Sequence, residues 1–367
     1  MRPLGKRGVM ASIRIAIVGV GNCASALVQG LGFYGRFPAA AGLMHRRIGG
    51  YTVDDIEIVS AFDIDRRKVG CKLSDAIFAA PNNTTVFFRK VPGSRVTVQM
   101  GPVLDGCPAH MGEFAPRERF EPARRSPVDV ARALRRSGAQ VLVNYLPVGS
   151  QRATEHYARA CLQAGVALVN CVPVFIVSDM RWARRFTQRG LPCVGDDIKA
   201  QVGATITHRT LVRLLRERGM KLESTYQLNV GGNTDFLNML ARSRLASKKI
   251  SKTQAVLSES GGTLEPGQIH VGPSDYVPFL KDNKVCFLRL QARGFGGVPM
   301  DLELRLSVED SPNSAGVVVD AIRCCKLGLD RKLAGPLRPV CAYTMKHPPV
   351  QMPDHEARLA LDAFAQS

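Results

Sequence analysis

The most constraining feature of this chain lies at residues 13–34. An alternating apolar run, Ile13-Arg14-Ile15-Ala16-Ile17-Val18, breaks at Gly19-Val20-Gly21 and passes straight into a stretch with Leu27, Leu31 and Tyr34 at helical spacing. A strand that enters a helix through a Gly19-x-Gly21-x-x-Ala24 turn opens a βαβ unit, which commits this part of the chain to a parallel sheet. Such a turn also brings unpaired backbone N–H groups to a helix N-terminus, where a pyrophosphate can sit. The glycines alone also fit plain helix–sheet packing. Asp63 adds weight, because it ends the next strand (residues 56–62), where dinucleotide-binding folds read the ribose 2′-hydroxyl. It follows the turn by about forty residues instead of about twenty, and a Gly-, Arg- and Pro-rich insertion at 36–54 accounts for the excess. An acid there repels a 2′-phosphate and favours NAD over NADP.

The pattern continues with buried strands expected at 96–98, 141–144, 167–170 and 193–194, separated by amphipathic helices near 127–137, 150–164 and 179–189. After about Gly203 the texture changes. A helix near 204–218 leads into longer alternating strands at 222–230, 284–293 and 301–308, the pattern of a sheet with one wet face. A last helix is expected at 314–327, entered through Pro312-Asn313, and the Arg- and Pro-rich residues 105–127 read as a solvated loop. The fold class is therefore α/β, a Rossmann-like doubly wound parallel sheet followed by a second α+β unit. The division expected is 1–203 for cofactor binding, 204–312 for catalysis and oligomerisation, and 313–367 as a segment returning to the first unit.

Composition sets outer bounds. A length of 367 residues suggests about two domains at roughly 150 residues each. With 45% hydrophobic and 22% charged residues and no apolar run near ~20 residues, the chain reads as a globular protein without a membrane partner. Its ten cysteines form no C-x-x-C pair, so they read as reduced thiols in a cytoplasmic protein. Met10 is an alternative start to Met1. The net charge of +19 demands an anionic partner of some kind. Nucleic acid is disfavoured, since acids interleave with Arg117, Arg119, Arg124, Arg125, Arg132, Arg135 and Arg136 and no aromatic platform accompanies them. Lys248 and Lys252, four apart, converge if helical; from spacing alone a solvated lysine face explains them as well.

Several ordered blocks resemble the myo-inositol-1-phosphate synthase family, short bacterial type. They are Ala16-Ile17-Val18-Gly19-Val20-Gly21-Asn22-Cys23-Ala24-Ser25, Asn144-Tyr145-Leu146-Pro147-Val148-Gly149-Ser150, Val194-Gly195-Asp196-Asp197-Ile198-Lys199, Asn229-Val230-Gly231-Gly232-Asn233-Thr234-Asp235, Ser247-Lys248-Lys249-Ile250-Ser251-Lys252, Glu309-Asp310-Ser311-Pro312-Asn313-Ser314 and Tyr343-Thr344-Met345-Lys346. The resemblance spans nearly the whole chain. It implies an NAD-dependent isomerase that oxidises D-glucose 6-phosphate at C5, enolises C6, closes the ring on C1 and reduces the ketone, giving 1D-myo-inositol 3-phosphate. It also implies a homotetramer.

By resemblance the catalytic set is Lys248, Lys252, Lys284, Lys346, Asp235 and Asp310. Asn229 and Asn233 join those lysines around the substrate. Gly19, Gly21, Asn22, Cys23, Asp63, Ser150, Asp197 and Lys199 belong to the cofactor, and Asp282 and Asp310 lie near a cation, divalent or monovalent. One departure stands out: the family usually has Ser after the lysine of the Asp-Asp-x-Lys block, and this chain has Ala200. A lost hydroxyl is compatible with another substrate, such as fructose 6-phosphate closing to a five-membered ring. A dehydrogenase with net hydride transfer is the other enzyme class that the layout allows.

Overall fold

The computed structural model describes residues 12–262 and 264–366. The choice between Met1 and Met10 lies outside them. The chain runs β1 (Ile13–Val18), α1 (Asn22–Arg36), β2 (Ile56–Asp63), α2 (Leu73–Ala76), β3 (Val98–Met100), α3 (Val130–Ser137), β4 (Val141–Asn144), α4 (Gln151–Ala164), β5 (Ala167–Asn170), α5 (Met180–Gln188) and β6 (Pro192–Val194). It continues through α6 (Ala204–Glu217), β7 (Lys221–Gly231), α7 (Thr234–Asn238), α8 (Ala246–Leu257), β8 (Ile269–Tyr276), β9 (Asn283–Arg293), β10 (Pro299–Glu309), α9 (Asp310–Asp330), β11 (Gly335–Pro336), α10 (Arg338–Thr344) and α11 (Asp354–Gln366).

The first sheet has the order β11-β6-β5-β4-β1-β2-β3, with every paired neighbour parallel. Strand order reverses between β1 and β4. That switch point is where open α/β sheets hold their ligands. β4 and β5 are buried throughout, as continuous apolar strands covered on both faces must be, and α9 crosses the sheet against α1. The second sheet, β10-β9-β7-β8, pairs β9 antiparallel to both β7 and β10 and β8 parallel to β7. α6 and α8 cover one of its faces through Val212, Leu215, Val256, Leu222 and Leu290.

Three expectations shift. The third strand starts at Val98 rather than at residue 96, because β2 pairs Ala61 with Val98. The long helix begins at Asp310, four residues early. Pro312 is tolerated in its first turn, where its missing N–H would have no helical partner, and Asn313 turns its amide to the Val202 backbone instead of capping. The segment 105–127 is more than a solvated loop: Asp105 caps the first turn of α4 through the Arg152 and Ala153 amides, and Gly106 and Phe120 wall the main cavity.

Candidate active site

A deep cavity opens at the switch point and runs from the glycine turn to α8. At its near end Gly19 adopts φ +85°, and a Cβ there would lie 2.5 Å from the Tyr145 carbonyl oxygen. Gly21 faces open space and caps α1 with no side chain, so the first amides of the helix await an acceptor. Asp63 accepts from the amides of Val20 (2.6 Å), Ile64 and Asp65, which fixes its carboxylate beside the turn. The Val20 carbonyl is held from the other side by Lys68 Nζ (2.8 Å) and Asn82. Lys68 and Asn82 also line the cavity. The sequence offers no sign of this, because Asp65-Arg66-Arg67-Lys68 looks like a solvated basic run. Asn22 and Cys23 line the same end, and burial, aided by Asp282 and Asp310, pushes the Cys23 thiol up to about 12, so it stays protonated. Backbone donors, an open glycine and an acid at the end of β2 fit a dinucleotide.

At the far end, α8 brings Lys248 and Lys252 to one face, and β9 and the segment just after α10 add Lys284 and Lys346. Three of these lysines are paired: Lys248 with Asp235 (2.7 Å), Lys284 with Asp310 (3.2 Å) and Lys346 with Asp197 (2.9 Å). Asp197 sits at φ +62°, a conformation that costs a non-glycine residue energy. Its backbone carbonyl accepts from the Lys346 amide and its second carboxylate oxygen from Ser251. Burial alone would raise Asp197; Lys346 and Lys248 outweigh it and hold the carboxyl below its usual range.

Lys252 differs. It is 4% exposed, and its ammonium has neither ion pair nor hydrogen bond among the described residues. Burial first, then the charges of Lys248, Lys284 and Lys346, drive its ammonium well below the ordinary lysine value, with Asp197 opposing. A lysine that sheds its proton readily, beside three that are ion-paired, suits proton transfer next to a developing oxyanion. The third wall is the start of α6. Gly203, Ala204, Thr205 and Ile206 line the cavity that the lysines also line, and Gly203 supplies no side-chain cap to the helix N-terminus. It offers amides to an anion, and Ala200 contributes a methyl to the same wall.

Not every expected residue arrives. Lys199 turns away from the cavity and donates to the Ala342 carbonyl and to Asp354, both at 2.8 Å. Asn229 is buried in β7 and donates to the Gly272 carbonyl, while Ser150 accepts from Arg244 behind the wall. Neither is a cavity-lining residue. Asp282 also lies off the cavity wall. Its two oxygens accept five hydrogen bonds, more than the roughly four lone-pair sites of a carboxylate, so the donors leave no place for a cation. No group of three or more His, Cys, Asp or Glu among the described residues could hold a metal ion.

A Rossmann-like sheet whose switch-point cleft leads to a lysine ring defines an enzyme that works on an anionic substrate. The comparisons give the family. A family model for myo-inositol-1-phosphate synthase matches residues 203–311. The chain is 53% identical over 355 residues to an inositol-3-phosphate synthase of Mycobacterium tuberculosis, covering 96% of this chain and 95% of that one. It is 52% identical over 361 residues to the Mycolicibacterium smegmatis enzyme of that name, covering 96% and 98%. Among solved structures, Ari2 superposes with a TM-score of 0.77 at 34% identity, over 97% of this chain and 100% of that one. The inositol-3-phosphate synthase of Caenorhabditis elegans, at 14% identity and a TM-score of 0.75 over 97% of this chain and 86% of that one, shares the fold. The chain belongs to the myo-inositol-1-phosphate synthase family.

Proposed function

We propose that this chain is an inositol-3-phosphate synthase, an isomerase that uses NAD and converts D-glucose 6-phosphate to 1D-myo-inositol 3-phosphate. The observation that carries the reading is Lys252, buried without an anion at the centre of three ion-paired lysines. Gly19, Gly21, Asn22 and Asp63 would hold the dinucleotide, which supplies reversible oxidation at C5 and so acidifies the C6 hydrogens. The amides opening α6 and the lysine ring bind the phosphate. Lys252 takes a C6 proton. The Lys248, Lys284 and Lys346 ammonium groups stabilise the enolate oxygen and then the C1 alkoxide formed when C6 attacks the aldehyde. Lys252 then returns the proton to that oxygen. Asp197, Asp235 and Asp310 each hold one of the three ammonium groups in place by a direct hydrogen bond.

The cytoplasm suits an enzyme with these reduced cysteines, and among the described residues no helix is long and apolar enough to cross a membrane. A homotetramer belongs to the same reading. The outer face of the second sheet, where Leu228 and Arg305 flank Phe287 at 42% exposure, offers a surface for it. Residues 1–203, 204–312 and 313–367 remain our division of labour. The test is incubation with NAD and glucose 6-phosphate, with the product ring identified by NMR. The expected product is a six-membered cyclitol monophosphate with no net NADH, and fructose 6-phosphate should be left uncyclised. NADH accumulating in proportion to sugar would replace this reading by a dehydrogenase.

A further inference from the structure

Asp282 lies where the two sheets meet, and four separate segments converge on its carboxylate. Its Oδ1 accepts from Asn22 Nδ2 (3.1 Å), Asn233 Nδ2 (2.9 Å) and Ser311 Oγ (3.0 Å), and its Oδ2 from Thr84 Oγ1 (2.6 Å) and the Ser311 amide (3.2 Å). Three of them, at Asn22, Asn233 and Ser311, line the cavity. Asn22 is the first residue of α1, beside the glycine turn, and its own carbonyl oxygen accepts from the amides of Asn83 and Thr84. Asn233 caps α7 by accepting from the Asp235 and Phe236 amides, and Asp235 is the partner of Lys248. Ser311 follows Asp310, the partner of Lys284, and the Asp310 amide donates to the Asp282 carbonyl. One buried side chain therefore touches, at one remove, the cofactor end and two of the three ion pairs.

We infer that Asp282 is a positioning residue that couples the two ends of the cavity. It joins the start of α1 to α7 and α9, so that a ligand ordering one end prepares the other. This rests on the reading of the cavity as an NAD and sugar-phosphate site, and it replaces the cation expected at Asp282 with a hub of neutral donors. A carboxylate is the side chain that can accept from so many donors at once. An amide of the same shape brings an NH2 group against hydroxyls and amides that already donate.

The experiment measures the dissociation constant of glucitol 6-phosphate, which lacks the C1 aldehyde and cannot close, with and without saturating NAD. The ratio of the two constants is the coupling. The wild-type protein is expected to bind it about tenfold more tightly with NAD, within the usual range of such couplings. Asp282→Asn should reduce the ratio to below about twofold, and Thr84→Val, which removes one donor and leaves the carboxylate, should give an intermediate ratio. Each ratio is internal to one protein, so a plain loss of stability, followed by thermal melting, does not move it. An Asp282→Asn protein that keeps the wild-type ratio overturns the inference. So does a wild-type ratio lost on treatment with EDTA, which would restore the cation. Absence of coupling in the wild type overturns it as well, and cyclisation of glucose 6-phosphate in that preparation would leave the proposed function standing.

Discussion

Two charge clusters meet α8, one at the cavity and one at its C-terminal end, and they are built to opposite rules. At the C-terminal end, outside the cavity, Lys199 ends on Asp354 and a carbonyl. Arg209, fully buried, spends its guanidinium on Asp354 (2.8 Å), Glu259 (2.7 Å) and the carbonyls of Ala255 and Met352. Each of these cations is matched within the fold. On the cavity side, four lysines face three carboxylates, and Lys252 is left with none. A completed network fixes position; an incomplete one, kept buried at a cost, is a site prepared for an anion from outside. Lysine count does not separate the two. Compensation does.

Breaking the front cluster should have the larger effect on chemistry and the smaller on folding. Lys252→Ala is expected to lower kcat by at least about 10³-fold, since general acid–base groups contribute typically 10²–10⁴ and this residue also carries charge. NAD should remain bound with its affinity within about threefold, a change too small to approach the ~1.4 kcal/mol of a tenfold loss. Single-turnover kinetics and NAD titration check this, and retained turnover would remove Lys252 from the mechanism. Stability should not fall, because the substitution relieves like-charge repulsion.

Arg209→Met tests the rear cluster. It strands Glu259 without its counter-charge and leaves Asp354 with Lys199 alone, and removing one partner of such a buried pair costs about 3–5 kcal/mol. Urea denaturation should record that loss, while substrate KM in the folded fraction changes little. A stability change within error would mean that the network is decorative and that α8 is held by its apolar contacts alone.

The two clusters should also separate by pH. Lys252 titrates well below an ordinary lysine, so kcat/KM is expected to rise with pH through a midpoint below 10.5. The native state then binds fewer protons than the unfolded chain between that midpoint and 10.5, so stability gains from Lys252 as pH rises there. Asp354 behaves in the other direction. Burial would raise it, but Lys199 and Arg209 dominate and hold it below 3.8, so its contribution is present above 3.8 and is lost as pH falls through its folded value. Denaturation across pH in Lys252→Ala and in Asp354→Asn should remove the alkaline and the acid limb separately.

The sequence made the front cluster legible and the rear one invisible, for a physical reason. Lys248, Lys252, Asp235 and Asp310 stand in motifs whose order survives as text, and the four-residue lysine spacing becomes one helix face. Lys199 stands in such a motif too, yet its partner Asp354 lies 155 residues away in a helix that the periodic reading omitted. Compensation is a property of three-dimensional proximity, and spacing along the chain carries no trace of it. Strand β8 escaped similarly, because Gly272, Pro273 and Asp275 break its alternation, and it is held by pairing with β7. The glycine turn and the parallel sheet were readable, since their signals are local.

Ala200 offers the smallest and most discriminating change. It lies in the wall formed by the start of α6, close to where the anionic end of the substrate would dock, and its methyl group leaves that wall one donor short of the family pattern. Ala200→Ser adds a hydroxyl worth about 1 kcal/mol if it finds the ligand, equivalent to a roughly fivefold lower KM for glucose 6-phosphate. The rear cluster and the lysine ring are untouched, so kcat and stability should stay within error. A lower KM would mean that the front cluster tolerates a phosphate bound with one donor fewer, its lysines making good the difference. An unchanged KM would place the phosphate deeper among the lysines, and would assign the start of α6 to the sugar hydroxyls.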